Sequence, residues 1–309
     1  MYKYFLKRIL QLIPVLIGVT FIIFFLMTLS PGDPGTAILG ASAPPEAIQA
    51  FNQKVGYNDP FLTRYGRYMV GLLKFDLGNS YSSGQSVSGE IAARFPTTLK
   101  IAAFGMLFAV LVGVPLGIFS AVKQYSALDN AARVISITLA AIPFFWLGLM
   151  MIYWFSLKLH LLPSFGISSW KNFILPVVSL GIPYAARQMR MARSCMLETI
   201  RQDYVRTVRA KGAPEKVVIW KHAFKNALMP IITLIGTQFG MLLGGAIVTE
   251  AVFSMPGLGT YLITGIRAKD VNAVMGATIV MAISFCLVML VVDLCYAVID
   301  PRIKAKYAG

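Results

Sequence analysis

The chain has 309 residues, 57% of them hydrophobic and only 13% charged, with a mean hydropathy of +0.70. A water-soluble fold would leave a large apolar surface exposed, so lipid is the natural solvent. The formal net charge of +15 would point to nucleic acid in a soluble protein, but the basic residues cluster at the ends of apolar segments and read as topology signals. Three scattered cysteines (Cys195, Cys286 and Cys295) exclude a disulfide framework, and two histidines (His160 and His222) exclude a His-rich metal cage.

The first apolar run, Ile9 to Leu29, follows Lys3, Lys7 and Arg8. At about 1.5 Å per residue it reaches across a hydrocarbon core of about 30 Å. It exceeds the apolar region of a typical signal peptide, and Pro31 stands where a small-residue cleavage pattern would be expected, so it reads as a retained helix. Residues 30 to 98 form the largest loop, in which Asp33, Glu46, Asp59, Asp76 and Glu90 nearly balance the bases. Pro45 opens a short helix carrying Ile48, Phe51 and Val55 and stopping at Gly56. Asp59 and Pro60 cap a second, with Tyr65, Tyr68, Met69 and Leu72 as its apolar stripe. An ordered surface cap and a docking platform for a partner both fit this segment.

Further runs at Leu99 to Val122, Val134 to Leu157, Ile174 to Met189, Met229 to Ala251 and Val274 to Val298 bring the total to six spans, an all-α polytopic membrane protein. Pro176 and Pro183 interrupt the fourth, as membrane helices tolerate when neighbours satisfy the freed carbonyls. From Arg187 to Lys225 ten Lys/Arg face only Glu198, Asp203 and Glu215, which marks that segment as cytoplasmic. Six spans then put the N-terminus, the loop with Lys123 and Arg133, and the tail with Arg302, Lys304 and Lys306 on the same side, together 18 of the 28 basic residues. The expected organisation is an N-terminal transmembrane helix (1–30), an extracytoplasmic loop (31–98) and a five-helix core (99–309) that includes a cytoplasmic loop at 190–228.

No phosphate-cradling G-x-x-x-x-G-K-[ST] loop, H-E-x-x-H or G-x-S-x-G occurs, so no catalytic residue and no resident cofactor or metal is expected. The cytoplasmic loop contains Asp203-Tyr204-Val205-Arg206-Thr207-Val208-Arg209-Ala210-Lys211-Gly212, then Ala213-Pro214-Glu215 and an apolar run, and it reads as helix, glycine turn, helix. Gly212 suits a left-handed position after the first helix and Pro214 the start of the next. A basic amphipathic hairpin lying on anionic lipid fits the same pattern. Gly236, Gly240 and Gly244 recur at intervals of four, with Gly245 beside them, and Gly113 and Gly117 repeat the spacing; tight helix packing and a flexible pore lining both fit. Asp293, inside the sixth run and seven residues before Asp300, is close enough to the basic tail to reach the interface or pair with an Arg or Lys. Arg187, Arg190 and Arg193 share one helical side, where lipid phosphate is the expected partner. An intramembrane enzyme built on Asp293 or Glu250 lacks a second polar residue placed with either acid. A membrane-anchored structural or signalling protein leaves the loop and the glycine strips without a purpose.

Nearly end to end, the chain resembles the membrane permeases of ATP-binding-cassette importers, specifically the first permease subunit of the dipeptide and oligopeptide branch. The pieces that carry the likeness are Ser30-Pro31-Gly32-Asp33-Pro34, Asp76-Leu77-Gly78-Asn79-Ser80, Arg94-Phe95-Pro96-Thr97-Thr98-Leu99, Met196-Leu197-Glu198, the Asp203 to Gly212 stretch, His222 to Pro230, Glu250 to Gly259 and Asp300-Pro301-Arg302. The resemblance implies a type I importer permease fold in a bacterial or archaeal cytoplasmic membrane. It also implies a coupling helix over Tyr204 to Gly212 that sits in a groove of an ATPase subunit. Here Arg206-Thr207-Val208 stands where Glu-Ala-Ala is usual in importers at large. The implied partners are a second, similar permease, one or two ATPase subunits that bind ATP and magnesium, and an extracytoplasmic solute-binding protein. The implied cargo is a di- or oligopeptide, with nickel, metal chelates and opines as alternatives within the branch.

Overall fold

Long apolar runs become long helices because lipid leaves no other partner for backbone N–H and C=O groups. The computed structural model describes the backbone of residues 2–299 and the side chains of residues 10–295. The basic groups expected at Lys3, Lys7, Arg8, Arg302, Lys304 and Lys306, and Asp300, lie outside the described side chains. In chain order the helices are α1 (Tyr2–Leu29), α2 (Pro34–Leu39), α3 (Pro45–Lys54), α4 (Phe61–Leu73), α5 (Val87–Val122), α6 (Ala127–Ala141), α7 (Phe144–Met151), α8 (Ile174–Ile200), α9 (Asp203–Ala210), α10 (Glu215–Val217), α11 (Phe224–Val252), α12 (Leu258–Arg267) and α13 (Val271–Ile299). π-helical turns extend α7 (Ile152–Lys158) and join α10 to α11 (Val218–Ala223). Among the described residues there is no strand, only an isolated bridge between Asn79 and Ser86.

Four helices are long and apolar enough to cross a membrane, and a fifth span results if α6 and α7 with its π turn count as one. The expected straight run from Val134 to Leu157 is bent by 96°. Its cause is Pro143, which has no N–H to donate and pushes the residue before it out of helical geometry; Ile142 has ψ 129°. The expected fourth span lies in α8, 27 residues long with Pro183 inside it, and it is not among the helices apolar enough to count. Arginines crowd its second half.

The chain divides into two compact units, Met1–Thr98 with Pro256–Cys286, and Leu99–Met255 with Leu287–Gly309. In the first, Phe24 of α1 packs with Phe61, Tyr65 and Tyr68 of α4 and with Val271, Met275 and Ile279 of α13. The apolar stripe expected on α4 therefore faces inward. Asp59, expected to cap α4, instead pairs with Arg67 at 2.7 Å, and Pro60 occupies the cap position. A second cluster joins Val87 and Ile91 to Leu258, Tyr261, Ala273 and Ala277. Asp270, fully buried, caps α13 through the Ala273 N–H at 3.1 Å and accepts from the Ser80 hydroxyl at 2.6 Å, which ties the 76–82 loop to that helix.

In the second unit, α8 is the central element, against which α5, α6, α7 and α11 pack. α5 and α8 approach so closely that a β-carbon at Gly113 or Gly117 would collide with the backbone carbonyls of Ala185 or Met189. That pair of glycines serves tight helix packing, one of the two readings their spacing allowed.

Candidate functional site

The segment singled out by its sequence forms a short helix, a glycine turn and a second helix. α9 covers Asp203–Ala210; Lys211 follows as its last half-helical residue, and Gly212 takes φ +78° with its N–H donating to the Arg209 carbonyl at 2.9 Å. That is the left-handed termination expected of a glycine there. Pro214 precedes α10, which passes through the π turn into α11 without a loop.

Three contacts fix this element from one side. Val205 is fully buried, a burial worth about 1.5–3 kcal/mol. The phenol oxygen of Tyr204 accepts a hydrogen bond from the Asn226 side-chain amide at 2.7 Å, and Asn226 sits on the first turn of α11. Arg209 grips Glu215 with two hydrogen bonds, at 2.6 and 3.1 Å, across the glycine turn. The guanidinium holds the Glu215 carboxyl below the usual carboxylate range. Both side chains are partly solvated, so the pair sets geometry more than stability. Asp203, Arg206, Thr207, Ala210 and Lys211 are left exposed, a largely polar face with two basic residues on a helix tied to the base of α11 through Tyr204 and Asn226.

In the same unit, Asp129 and Arg193 form a buried bidentate ion pair, Nε to Oδ1 at 2.7 Å and Nη2 to Oδ2 at 2.8 Å. The carboxylate is fully buried and also accepts from the Tyr125 N–H at 2.9 Å and from the Ser120 hydroxyl. Lipid phosphate is thus not the partner of Arg193. Arg187 lies over the Tyr184 ring at 5.2 Å, and Arg190 is exposed. The available signal was Asp129 itself, the sole acid in the short Lys123 to Arg133 loop.

The glycines of α11 lie further along the helix. Gly236 is buried, and a β-carbon there would meet Val292 at 2.6 Å. Gly244 is exposed with open space beside it, whereas a β-carbon at Gly245 would meet Leu180 at 2.9 Å; Gly240 is half-buried. The strip of four-residue spacing is therefore not one continuous contact within this chain. Sequence reasoning also passed over a buried amide pair, Gln188 of α8 donating to Gln238 of α11 at 2.8 Å. Asp293 is 7% exposed.

Residues 113–305 match the family described as "Binding-protein-dependent transport system inner membrane component", and residues 1–102 match the N-terminal model of such membrane components. The chain belongs to this family: it is a multi-pass permease subunit of a binding-protein-dependent importer, a transport component rather than an enzyme. Membership implies an ATPase and a solute-binding protein as partners. Among its relatives, the dipeptide transport system permease protein DppB of Alkalihalophilus pseudofirmus is 42% identical, over 98% of this chain and all of that one. The glutathione transport system permease protein GsiC of Salmonella paratyphi A is 39% identical, over 99% of this chain and all of its own length. Among solved structures, an inward-facing MetNI methionine ABC transporter superposes with a TM-score of 0.58 at 20% identity, over 68% of this chain and 96% of that one, a likeness of fold.

Proposed function

We propose that this chain and a second, similar permease together form the translocation path for di- or oligopeptides handed over by a solute-binding protein, with ATP and magnesium held by separate ATPase subunits. The observation that carries the coupling role is the exposed face of α9, tied to the base of α11 through Tyr204 and Asn226 and to α10 through Arg209 and Glu215. Peptide cargo is supported by the two relatives named for dipeptide and glutathione transport, each aligned over its whole length. In proteoliposomes holding the permease pair, the ATPases and the binding protein, a labelled dipeptide is expected to accumulate only when ATP and the binding protein are both supplied. Accumulation that persists without the ATPases would remove the importer reading. Nickel uptake with no dipeptide uptake would redirect the cargo.

The arrangement in the membrane is six spans, with α8 providing the fourth and the bent α6–α7 pair the third, and with both termini cytoplasmic. The ten basic residues between Arg187 and Lys225 support that orientation. Single cysteines at Thr63, Ser168, Gln124 and Gln202, in a variant lacking the native thiols, test it. An impermeant maleimide added to spheroplasts is expected to label positions 63 and 168 only. Labelling of position 202 from outside contradicts the orientation.

A further inference from the structure

The first unit contains a cavity of about 650 Å³ lined by parts of α3, α4, the 76–81 loop and the start of α13, within the roughly 300–1,000 Å³ typical of small-molecule clefts. Three cations, Lys54, Arg64 and Arg67, and two carboxylates, Asp59 and Asp76, line it. The carboxylates are engaged locally. Asp59 holds Arg67 at 2.7 Å, and Asp76 accepts from the Gly78 N–H at 2.9 Å. Arg64 is different: its guanidinium lies over two rings, 5.0 Å from the centre of Tyr57 and 5.5 Å from that of Phe24, and among the described residues it has no carboxylate partner. Aromatic stacking orients the plane of a guanidinium and leaves its N–H edge free, the edge that takes a carboxylate in two parallel hydrogen bonds.

One turn further along α4, Tyr68 also lines the cavity; the four-residue spacing puts it on the same helical side as Arg64. Tyr68 is nine-tenths buried and its hydroxyl has no hydrogen-bond partner. Burial raises its pKa, so it stays protonated and able to donate. A buried hydroxyl without a partner is uncommon, because it forfeits its bonds to water and gains none in return. The Tyr68 hydroxyl itself is sealed from the cleft, so what furnishes the cleft for an anion is the oriented Arg64 guanidinium, which has no carboxylate partner among the described residues and whose flat fork selects a carboxylate.

We propose that this cavity binds the free carboxylate of a small peptide, with Arg64 as its anchor. The carboxylate requirement comes from the cavity; only the peptide body of the ligand rests on the cargo reading above.

The test uses the permease pair with its ATPases in nanodiscs, without binding protein, and follows binding of Gly-Leu, its C-terminal amide and acetate by ligand-observed NMR. Gly-Leu is expected to bind at least about ten-fold more tightly than its amide, the loss that follows removal of a charge-assisted hydrogen bond. Arg64→Gln should weaken Gly-Leu by a similar factor and Arg64→Lys by less. Tyr68→Phe should leave Gly-Leu affinity unchanged and the thermal midpoint at or above that of the unaltered protein, because the sealed hydroxyl has no partner to lose. Equal binding of acid and amide overturns the site, as does unchanged affinity in Arg64→Gln. An acid preference kept by a complex that fails to import Gly-Leu supports the site and removes the cargo reading instead.

Discussion

Replacing Asp129 by alanine is expected to destabilise the protein by about 3–5 kcal/mol, the usual loss when one member of a buried ion pair is removed and the other stays behind without it. Arg193 would keep its charge at 16% exposure, and the Tyr125 N–H and the Ser120 hydroxyl would lose their acceptor. The double variant Asp129→Leu with Arg193→Met should recover most of that loss, since apolar groups of similar volume often match a buried pair in stability. Thermal unfolding of the purified protein in nanodiscs, with the two single variants and the double compared, measures this. A double variant as unstable as the sum of the singles would mean that the two side chains act independently.

Gly212→Val should have the largest effect on transport. At φ +78° a β-branched residue meets its own backbone, at a cost of about 1–2 kcal/mol or more. A β-carbon there would find nothing else within 4 Å, so the strain is purely local to the turn. Val205 and the Tyr204–Asn226 bond lie before the turn and keep α9 anchored. What changes is the angle between α9 and α10 and the Arg209–Glu215 clasp that spans them. Membrane insertion should therefore survive while uptake falls more than expression does, and Gly212→Ala should be milder.

Features written in local sequence were legible. Pro45 and Gly56 bracket α3 as expected, the stripe on α4 faces the core, and Gly212 has its left-handed backbone. Each depends on residues within a turn or two of one another, where intrinsic geometry decides. The break at Pro143 was equally local and was passed over because the apolar run continues through it. Partner choice across the fold was not legible. Nothing near Arg193 in sequence says that a carboxylate 64 residues earlier will meet it rather than a lipid phosphate. Nor does the spacing of Gly236, Gly240 and Gly244 say which of them a neighbour will approach, because the register of α11 against α8 and α13 is set by side chains far away in the chain. The cavity beside Arg64 was illegible for the same reason: its walls come from four separate segments.

The claim that matters most is that α9 and its glycine turn carry the ATPase stroke into α11. It is tested most directly by the ratio of peptide imported to ATP hydrolysed in proteoliposomes that hold the complete importer, binding protein and ligand, compared for the unaltered chain, Gly212→Ala and Gly212→Val. The expected result is a ratio that falls slightly for alanine and strongly for valine, with hydrolysis continuing while import fails. A Gly212→Val complex that assembles normally and imports with an unchanged ratio would contradict the account and leave the basic face of α9 as a surface for anionic lipid.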